Sequence, residues 1–414
     1  MSIHTRIYGG GSLSFGGQPA IDDLLGAGYS AVLVWSVHVD SDGNLILNNT
    51  HFVTNGVYQE AEPMNLPSRL AQLHKAGVEI IFSVGAGGTT DFQTIGKLLN
   101  GGVPGPGNNL YDNFKALKDA MVNAGGDIDA IDFDNEDALQ NSDASIMVNF
   151  GCMLGDIGYK SVTLCPYYPA PSFPWGDGTN HVWLDTYNQL LAKRGKAFVS
   201  AIHLQCYSGG AGNSPAPWAK MIADAGGETL MIPGLATNQA AAGPWWYNNK
   251  QDPPPRPGGS VVKTPSVAMY GEADWSGMLR QGNYPTADDA LQAANSSETF
   301  FFYCNGYLNL GPGKVFQKGD AVFFAGVPHW GSAPQCDGYS LSGGCSNTYN
   351  TNGACPSDLQ SQYATWKSTP IDGGFIWLYD SVLNCLLSKC CGGTESDSAT
   401  TAKDYREAIS NGLG

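Results

Sequence analysis

Short runs of almost entirely apolar residues recur along the chain, and segments with helical spacing of their apolar positions lie between them. Ala31–Val39 is one such run, and Pro67–Ala76 is a helical segment that ends at Gly77. Strands that are apolar on both faces and alternate with helices predict a parallel sheet covered by helices. The predicted strands begin at Arg6, Ala31, Val78, Ile128, Ser161, Ala197, Thr229 and Gly373. They indicate an α/β fold of the (β/α)8 TIM barrel type. An open doubly wound sheet is the alternative, but the sequence contains no dinucleotide fingerprint that would support it.

The alternation is interrupted after the seventh predicted strand. About 130 residues separate Leu235 from Gly373, where a βα unit needs roughly 30. Ser357–Lys367 has the spacing of the missing helix, and Phe300–Tyr303 and Val315–Gly326 resemble short strands. We therefore predict a barrel over residues 1–238 and 356–414, with an inserted β-rich, cysteine-containing subdomain over 239–355 between strands 7 and 8.

The fourth predicted strand, Ile128–Glu136, is rich in acids. Because side chains alternate along a strand, Asp132, Asp134 and Glu136 share one face, and the intervening Ile and Phe share the other. Three neighbouring carboxylates that lose water repel each other, so at least one is expected to hold a proton near neutral pH. This arrangement indicates that one carboxyl group acts as a general acid while its neighbours stay ionised. An exposed acidic edge or a calcium loop is the alternative, but a calcium loop needs a Gly at its turn.

Composition excludes several classes of partner. The 414 residues carry a net charge of −16, which disfavours nucleic acid and anionic membrane surfaces. No apolar run approaches the ~20 residues that a membrane span requires. We therefore expect neither a nucleic-acid partner nor a membrane partner, while the oligomeric state stays open.

The ten cysteines fall into two groups. Cys152, Cys165 and Cys206 lie in predicted helices or strands, where buried free thiols are the ordinary interpretation. The others lie in loop-rich or C-terminal segments, at Cys304, Cys336, Cys345, Cys355, Cys385, Cys390 and Cys391. This second group indicates disulfides and an oxidising compartment, with zinc as the rival interpretation. These cysteines lead us to expect an extracellular protein. A cytoplasmic protein is the alternative, because the first residues contain no apolar signal region.

The acidic stretch resembles a known signature. Asp129, Asp132, Asp134 and Glu136 match the Asp-x-x-Asp-x-Asp-x-Glu motif of family 18 glycoside hydrolases, which include chitinases and endo-β-N-acetylglucosaminidases. The stretch departs from the commonest motif only between these positions, with Ala in place of Gly and Asn in place of an aromatic residue or Asp.

Three further segments resemble motifs of the same family. Ser83–Gly88 is similar to the third-strand Ser-x-Gly-Gly motif, whose implied role is to support the acidic strand. Gln205 and Tyr207 form the Gln-x-Tyr pair typical of the hevamine-like branch. Gly373–Trp377 resembles the eighth strand, in which Trp377 would form the floor under the reacting sugar; Tyr8 is a weaker candidate of the same kind.

The resemblance implies a hydrolase that cleaves β-1,4 linkages next to N-acetylglucosamine, in chitin or in an N-glycan core. Glu136 would be the general acid and base, Asp134 would stabilise the acetamido group that attacks the anomeric carbon, and Asp132 would hold Asp134. Tyr207 would donate a hydrogen bond to the acetamido oxygen. Candidates for substrate binding are Gln205, Trp377, Tyr8 and Asp129.

The same resemblance implies retaining, substrate-assisted catalysis without a metal or an organic cofactor. The alternative is a catalytically inactive chitinase-like protein that binds sugar or serves a structural role. The presence of Glu136 favours an enzyme, because inactive members usually lack this Glu.

Overall fold

A closed barrel of parallel strands forms the centre of the computed structural model. Its strands, in chain order, are β1 (His4–Gly9), β2 (Ala31–Val39), β3 (Glu79–Val84), β4 (Ala130–Phe133), β5 (Ser161–Leu164), β6 (Val199–Gln205), β7 (Leu230–Thr237) and β8 (Gly373–Trp377). Each strand pairs with the next, and β1 pairs with both β2 and β8, which closes the ring. The predicted (β/α)8 barrel is therefore confirmed.

The structure describes most of the barrel and parts of the remaining chain. The described residues are 3–47, 50–59, 65–137, 144–167, 181–207, 210, 213–237, 267–270, 280–284, 301–303, 307–309, 353–354, 356–384 and 401–414. Their helices span Gly11–Phe15, Gly17–Ala27, Leu66–Lys75, Asp91–Leu99, Asn109–Asn123, Ala144–Ile157, Val182–Arg194, Pro215–Ala225, Pro356–Thr365, Tyr379–Asn384 and Ala402–Leu413. Within these residues, no helix is both long and apolar enough to cross a membrane.

The fourth strand is shorter in the structure than its predicted range, Ile128–Glu136. The acidic strand ends at Phe133, so Asp134 and Glu136 lie beyond the parallel ladder. The eighth strand ends at Trp377, and a helix begins at Tyr379. Both strands thus stop where their side chains reach the carboxyl end of the barrel, which is the end that carries functional groups in this fold.

The two faces of β4 have opposite environments. Phe133 points outward, where its ring stacks on Phe150 with centroids 5.2 Å apart and meets Phe92 at 5.7 Å. Each of these rings is at most 2% exposed, and full burial of such a side chain contributes about 1.5–3 kcal/mol. The apolar outer face anchors β4 to the helices, and Asp132 on the other face points into the barrel.

A small antiparallel extension is attached to β2. Leu45–Leu47 pairs with the end of β2, and Thr50–Thr54 and Val57–Tyr58 continue the sheet. A turn at Asp42 and Gly43 leads into this extension, and Gly43 has a φ of +82°.

The chain divides into two compact units, 1–236 with 356–379 and 402–414, and 237–355 with 380–401. The described elements of the second unit include two antiparallel strand pairs, Val267–Tyr270 with Arg280–Tyr284 and Phe301–Tyr303 with Tyr307–Asn309. The predicted strand at 315–326 lies outside the described residues. The predicted boundaries of the inserted subdomain stay a prediction.

Candidate active site

Asp132 lies at the centre of the barrel and is completely buried. One carboxylate oxygen, Oδ1, accepts hydrogen bonds from Thr163 Oγ1 at 2.6 Å and His203 Nδ1 at 2.9 Å. The other, Oδ2, accepts from Ser83 Oγ at 2.8 Å and Tyr8 OH at 2.9 Å. Burial alone would raise the pKa of Asp132, but these hydrogen bonds, His203 foremost, hold it below its usual value. Asp132 is therefore a buried carboxylate.

Asp134 and Glu136 lie above Asp132, at the mouth of the barrel. The side-chain nitrogen of Gln205 donates to Asp134 Oδ1 at 3.1 Å and to Glu136 Oε1 at 2.9 Å. Asp134 is 2% exposed, whereas Glu136 is only partly buried. Gln205, which the sequence places among the substrate-binding residues, joins the two carboxyl groups in the structure.

The environment of this pair favours a shared proton. Burial raises the pKa of Asp134 well above its usual value, and the negative charges of Glu136 and Asp132 raise it further; the hydrogen bond from Trp35 offsets part of this. Burial also raises the pKa of Glu136, against the effect of the Gln205 hydrogen bond. The pair can hold one proton at a pH where free carboxyl groups have lost theirs.

Four aromatic rings surround the mouth of the barrel. The Trp377 ring lies 4.7 Å from Trp35, 5.4 Å from Tyr8 and 5.7 Å from Tyr207, which stacks on it at an interplanar angle of 22°. Trp35 also donates from Nε1 to Asp134 Oδ2 at 3.1 Å. Trp377 and Trp35 are partly exposed, so the cluster presents aromatic surface beside the acids.

Gly85, which follows β3, allows the backbone of the acidic segment to approach closely. Its φ is +97°, and a Cβ there would lie 2.4 Å from the carbonyl oxygen of Asp134 and 3.1 Å from the Phe92 ring. A glycine meets both requirements, because it has no Cβ and adopts positive φ without strain. Together with Ser83, it gives the predicted Ser83–Gly88 motif a direct contact with the acids.

Two residues proposed for substrate binding have other surroundings. Asp129 precedes β4, at the opposite end of the strand from Glu136, and its carboxylate accepts a hydrogen bond from the Ile80 amide at 2.9 Å. Tyr8 is completely buried and donates to Asp132. In the structure Asp129 stabilises the sheet and Tyr8 orients a carboxylate, and their part in sugar binding stays a prediction.

The sequence interpretation missed several residues of the site. His203, Thr163 and Trp35 each contact an acid. Cys165 does so too: its hydrogen bond to Asp134 lowers the pKa of that carboxyl group, and its sulfur lies 3.3 Å from Tyr8 OH. His203 precedes Gln205 by two positions, so strand alternation already places it on the same face. Thr163 lies in register with Asp132, a pairing that only the barrel reveals.

The site shows no arrangement suited to a metal ion. Within the described residues, no group of three His, Cys, Asp or Glu side chains could hold one. The donors around Asp132 are hydroxyl groups and an imidazole, and they saturate its oxygens.

A hydrogen-bonded Ser–His–Asp group lies on the face of β2 opposite the Trp35 side chain. Ser36 Oγ is 2.8 Å from His38 Nε2, and His38 Nδ1 is 2.9 Å from Asp91 Oδ2. Asp91 Oδ1 accepts from the Val39 amide at 2.8 Å. Ser36 is 6% exposed, and the group fixes the end of β2 to a helix behind Trp35.

No family model matches the sequence, and no curated protein matches it. Solved structures with a similar fold include a chitinase from Rhizomucor miehei, at 14% identity and a TM-score of 0.43 over 98% of this chain and 99% of that one. A family 18 chitinase from Pseudoalteromonas aurantia shows 14% identity and a TM-score of 0.41 over 58% and 83%. A family 18 N-acetylglucosaminidase from Paenibacillus barengoltzii shows 11% identity and a TM-score of 0.42 over the whole of both chains. At such identities and TM-scores, any conclusion about activity depends on the site residues themselves.

Proposed function

We propose that the chain is a glycoside hydrolase of the family 18 type, which cleaves β-1,4 linkages next to N-acetylglucosamine in chitin or in an N-glycan core. One observation carries the proposal: Asp134 and Glu136, both with raised pKa values, share the amide nitrogen of Gln205 above the ionised Asp132. A carboxyl group that keeps its proton beside one that stays ionised is the requirement for acid-catalysed glycoside cleavage.

Glu136 is the general acid in this proposal. It is the outermost of the three acids and only partly buried, so it can reach the oxygen of a bound glycosidic bond. Its raised pKa keeps the proton available in weakly acidic solution. After the leaving sugar departs, the resulting carboxylate can take a proton from water, which is the second half of a retaining reaction.

The separation of the acids supports retention. The nearer oxygens of Asp134 and Glu136 both lie within 3.1 Å of one nitrogen atom. They are therefore closer than the about 6.5–9.5 Å that an inverting enzyme needs for an intervening water. This geometry leaves too little room for a water between the two acids, which argues against an inverting reaction.

The nucleophile in the proposed reaction is the acetamido oxygen of the substrate. Asp134 and Glu136 extend from the same strand end, so both approach the sugar from one direction, whereas a direct nucleophile must attack opposite the leaving group. The acetamido group on the sugar itself is better placed. Asp134, held by Trp35 and Gln205, would stabilise the positive charge that develops on it, and Tyr207 would orient its oxygen.

The aromatic cluster supports a sugar as the ligand. Trp377 and Trp35 present partly exposed rings beside the acids, and Tyr207 stacks on Trp377. Flat apolar rings suit the apolar face of a pyranose, and a buried polar rim fixes its orientation. The Gln205 and Tyr207 pair favours the hevamine-like branch of the family.

The test compares two substrates and two variants. Wild-type protein, Glu136→Gln and the surface control Glu407→Gln are incubated with chitin oligomers and with a high-mannose glycoprotein, and the products are identified by mass. The proposal expects cleavage of at least one substrate. It also expects turnover to fall by at least ~10²-fold in Glu136→Gln, the scale of a lost general acid, with oligosaccharide binding retained.

Two outcomes would contradict the proposal. Equal turnover of Glu136→Gln and wild type would remove Glu136 from the reaction. Binding of both substrates without cleavage of either would indicate the alternative, a sugar-binding protein without activity.

A further inference from the structure

A chain of buried charged and polar groups runs beneath the acids, from one end of the barrel to Asp132. Arg6 on β1 is 1% exposed, and His203 on β6 is completely buried. Arg6 Nη2 lies 3.0 Å from Glu79 Oε2, and Arg6 Nη1 lies 2.9 Å from His203 Nε2. On its other side, His203 Nδ1 lies 2.9 Å from Asp132 Oδ1. A single imidazole therefore connects a buried cation to a buried carboxylate.

The contact with Arg6 determines where His203 carries its proton. A guanidinium has only donors, so Nε2 of His203 must accept and carries no hydrogen. The imidazole proton then sits on Nδ1, where it is donated to Asp132. Burial lowers the pKa of His203, and the charge of Arg6 lowers it further, against the opposing effect of Asp132. His203 is therefore a neutral imidazole with a fixed tautomer.

This tautomer completes the hydrogen bonding of Asp132. Thr163 and His203 donate to one of its oxygens, and Ser83 and Tyr8 donate to the other. Because all four contacts are donors to the carboxylate, a proton on Asp132 would displace one of them. The opposite tautomer of His203 would place a lone pair against Asp132 and so favour protonation of that carboxyl group.

We propose that Arg6 is a positioning residue that selects the Nδ1–H tautomer of His203, so that Asp132 stays ionised and the dissociable proton of the site remains on Asp134 and Glu136. This inference rests on the proposed glycosidase activity and assigns a role in it to two residues outside the acidic strand. The titratable and charged groups facing this chain are Glu79, Tyr8, Asp129, Asp132, Asp134 and Cys165.

The mechanism has a consequence for the pH dependence of activity. The negative charge of Asp132 is one of the groups that raise the pKa of Asp134. If Asp132 took up a proton, this repulsion would weaken, and the Asp134–Glu136 pair would lose its proton at lower pH. Arg6 thus influences the alkaline limit of activity through His203.

The first test needs neither a variant of Arg6 nor any enzymatic activity. Nitrogen-15 NMR of the imidazole rings of the full chain is recorded from about pH 5 to 8, the range in which an ordinary histidine titrates. The His203 signals, among those of seven histidines, are those that disappear in His203→Asn. We expect a neutral Nδ1–H ring at every pH. An imidazolium or an Nε2–H ring would overturn the inference.

The second test measures the pH profile of kcat/KM. Arg6→Met removes the charge, Arg6→Lys keeps a cationic donor, and Glu79→Gln alters only the half-exposed partner of Arg6. We expect the alkaline limb to move to lower pH in Arg6→Met, by on the order of one pH unit, with less movement in Arg6→Lys and little in Glu79→Gln. His203→Asn, which keeps a donor to Asp132, should retain more of the profile than His203→Leu.

The outcomes separate the inference from the proposed function. A purely structural role of Arg6 would lower stability and kcat without moving the limb, which would contradict the inference. If wild-type protein cleaves no substrate, the proposed function fails, while the NMR result still decides the tautomer. If Arg6→Met does not fold, as loss of a buried ion partner can cause, Arg6→Lys and Glu79→Gln still test the pH profile, and the wild-type spectrum decides the tautomer.

Discussion

Gln205 donates a hydrogen bond to Glu136 over 2.9 Å with the same nitrogen that lies 3.1 Å from Asp134. The amide thus touches both carboxyl groups whose pKa values are raised. It is 5% exposed, so water does not readily replace it. The first prediction concerns its removal.

Gln205→Met keeps the length of the side chain and deletes the donor. We expect turnover to fall roughly 10- to 100-fold, since a hydrogen bond to a charged group contributes about 1.5–3 kcal/mol. Because the donor lowers the pKa of Glu136, its loss should move the alkaline limb of the pH profile to higher pH. Cys206→Ala, at the neighbouring, partly buried position, is the control, and an equal effect there would refute a specific role of Gln205.

The second prediction concerns the acetamido group. If the substrate's own carbonyl is the nucleophile, cello-oligosaccharides, which lack it, should not be cleaved. A thiazoline mimic of the cyclised intermediate should inhibit competitively. Assays with matched chain lengths test this, and comparable rates on cello- and chito-oligosaccharides would rule out substrate assistance.

The third prediction concerns Gly85. In Gly85→Ala the new Cβ would collide with the carbonyl of Asp134, so both activity and stability should fall, the latter by about 1–3 kcal/mol from backbone strain. Gly77→Ala is a matched control, since Gly77 has a φ of +87° but open space around it. It should lose stability alone. Full activity in Gly85→Ala, measured beside urea unfolding, would show that the contact with Asp134 does not matter.

The fourth prediction concerns stability against pH. Burial raises the pKa of Asp137 to about 6. Burial would also raise that of Asp127, but hydrogen bonds from Lys118 and Lys160 lower it to about 2. A carboxyl with a raised pKa stabilises the fold below the unfolded pKa of about 3.9, and this stability is lost as the pH rises through the folded value. A carboxyl with a lowered pKa stabilises the fold above about 3.9, and this is lost as the pH falls.

The two Asn variants should therefore show opposite trends. As the pH rises from about 4 to about 6, the free energy of unfolding of Asp137→Asn should increase relative to that of wild type. As the pH rises from about 2 to about 4, that of Asp127→Asn should decrease relative to that of wild type. Urea titrations at several pH values measure both. Parallel curves for wild type and variants would contradict these pKa assignments.

The fifth prediction concerns the cysteines at 304–391, which lie outside the described residues. We propose that they form at least one disulfide and that the protein works in an oxidising compartment, as their position in loop-rich sequence suggests. Peptide mapping under non-reducing conditions should recover a crosslinked pair. Recovery of free thiols only would favour the cytoplasmic alternative. The described Cys152, Cys165 and Cys206 are free and serve as internal controls.

Local periodicity accounts for the part of this protein that its sequence predicts. Apolar runs such as Ala31–Val39 mark the barrel strands, because a strand buried on both faces needs apolar side chains throughout. The two-residue repeat of a strand likewise predicts that Asp132, Asp134 and Glu136 lie together, and they do, although the strand itself ends at Phe133. The eight-stranded barrel and the grouping of its acids follow from such short-range patterns.

The tertiary structure alone decided which groups surround each acid. Tyr8, Ser83, Thr163 and His203 come from four different strands and meet at Asp132 only when the barrel closes. No spacing along the chain encodes those contacts, so the sequence alone did not predict that Tyr8 and His203 bind Asp132. A pKa depends on burial and on the orientation of neighbouring donors and charges, and both arise from packing. Hydrogen bonds from residues far away in the sequence hold the pKa of Asp132 low, whereas burial and the charges of Glu136 and Asp132 raise that of Asp134.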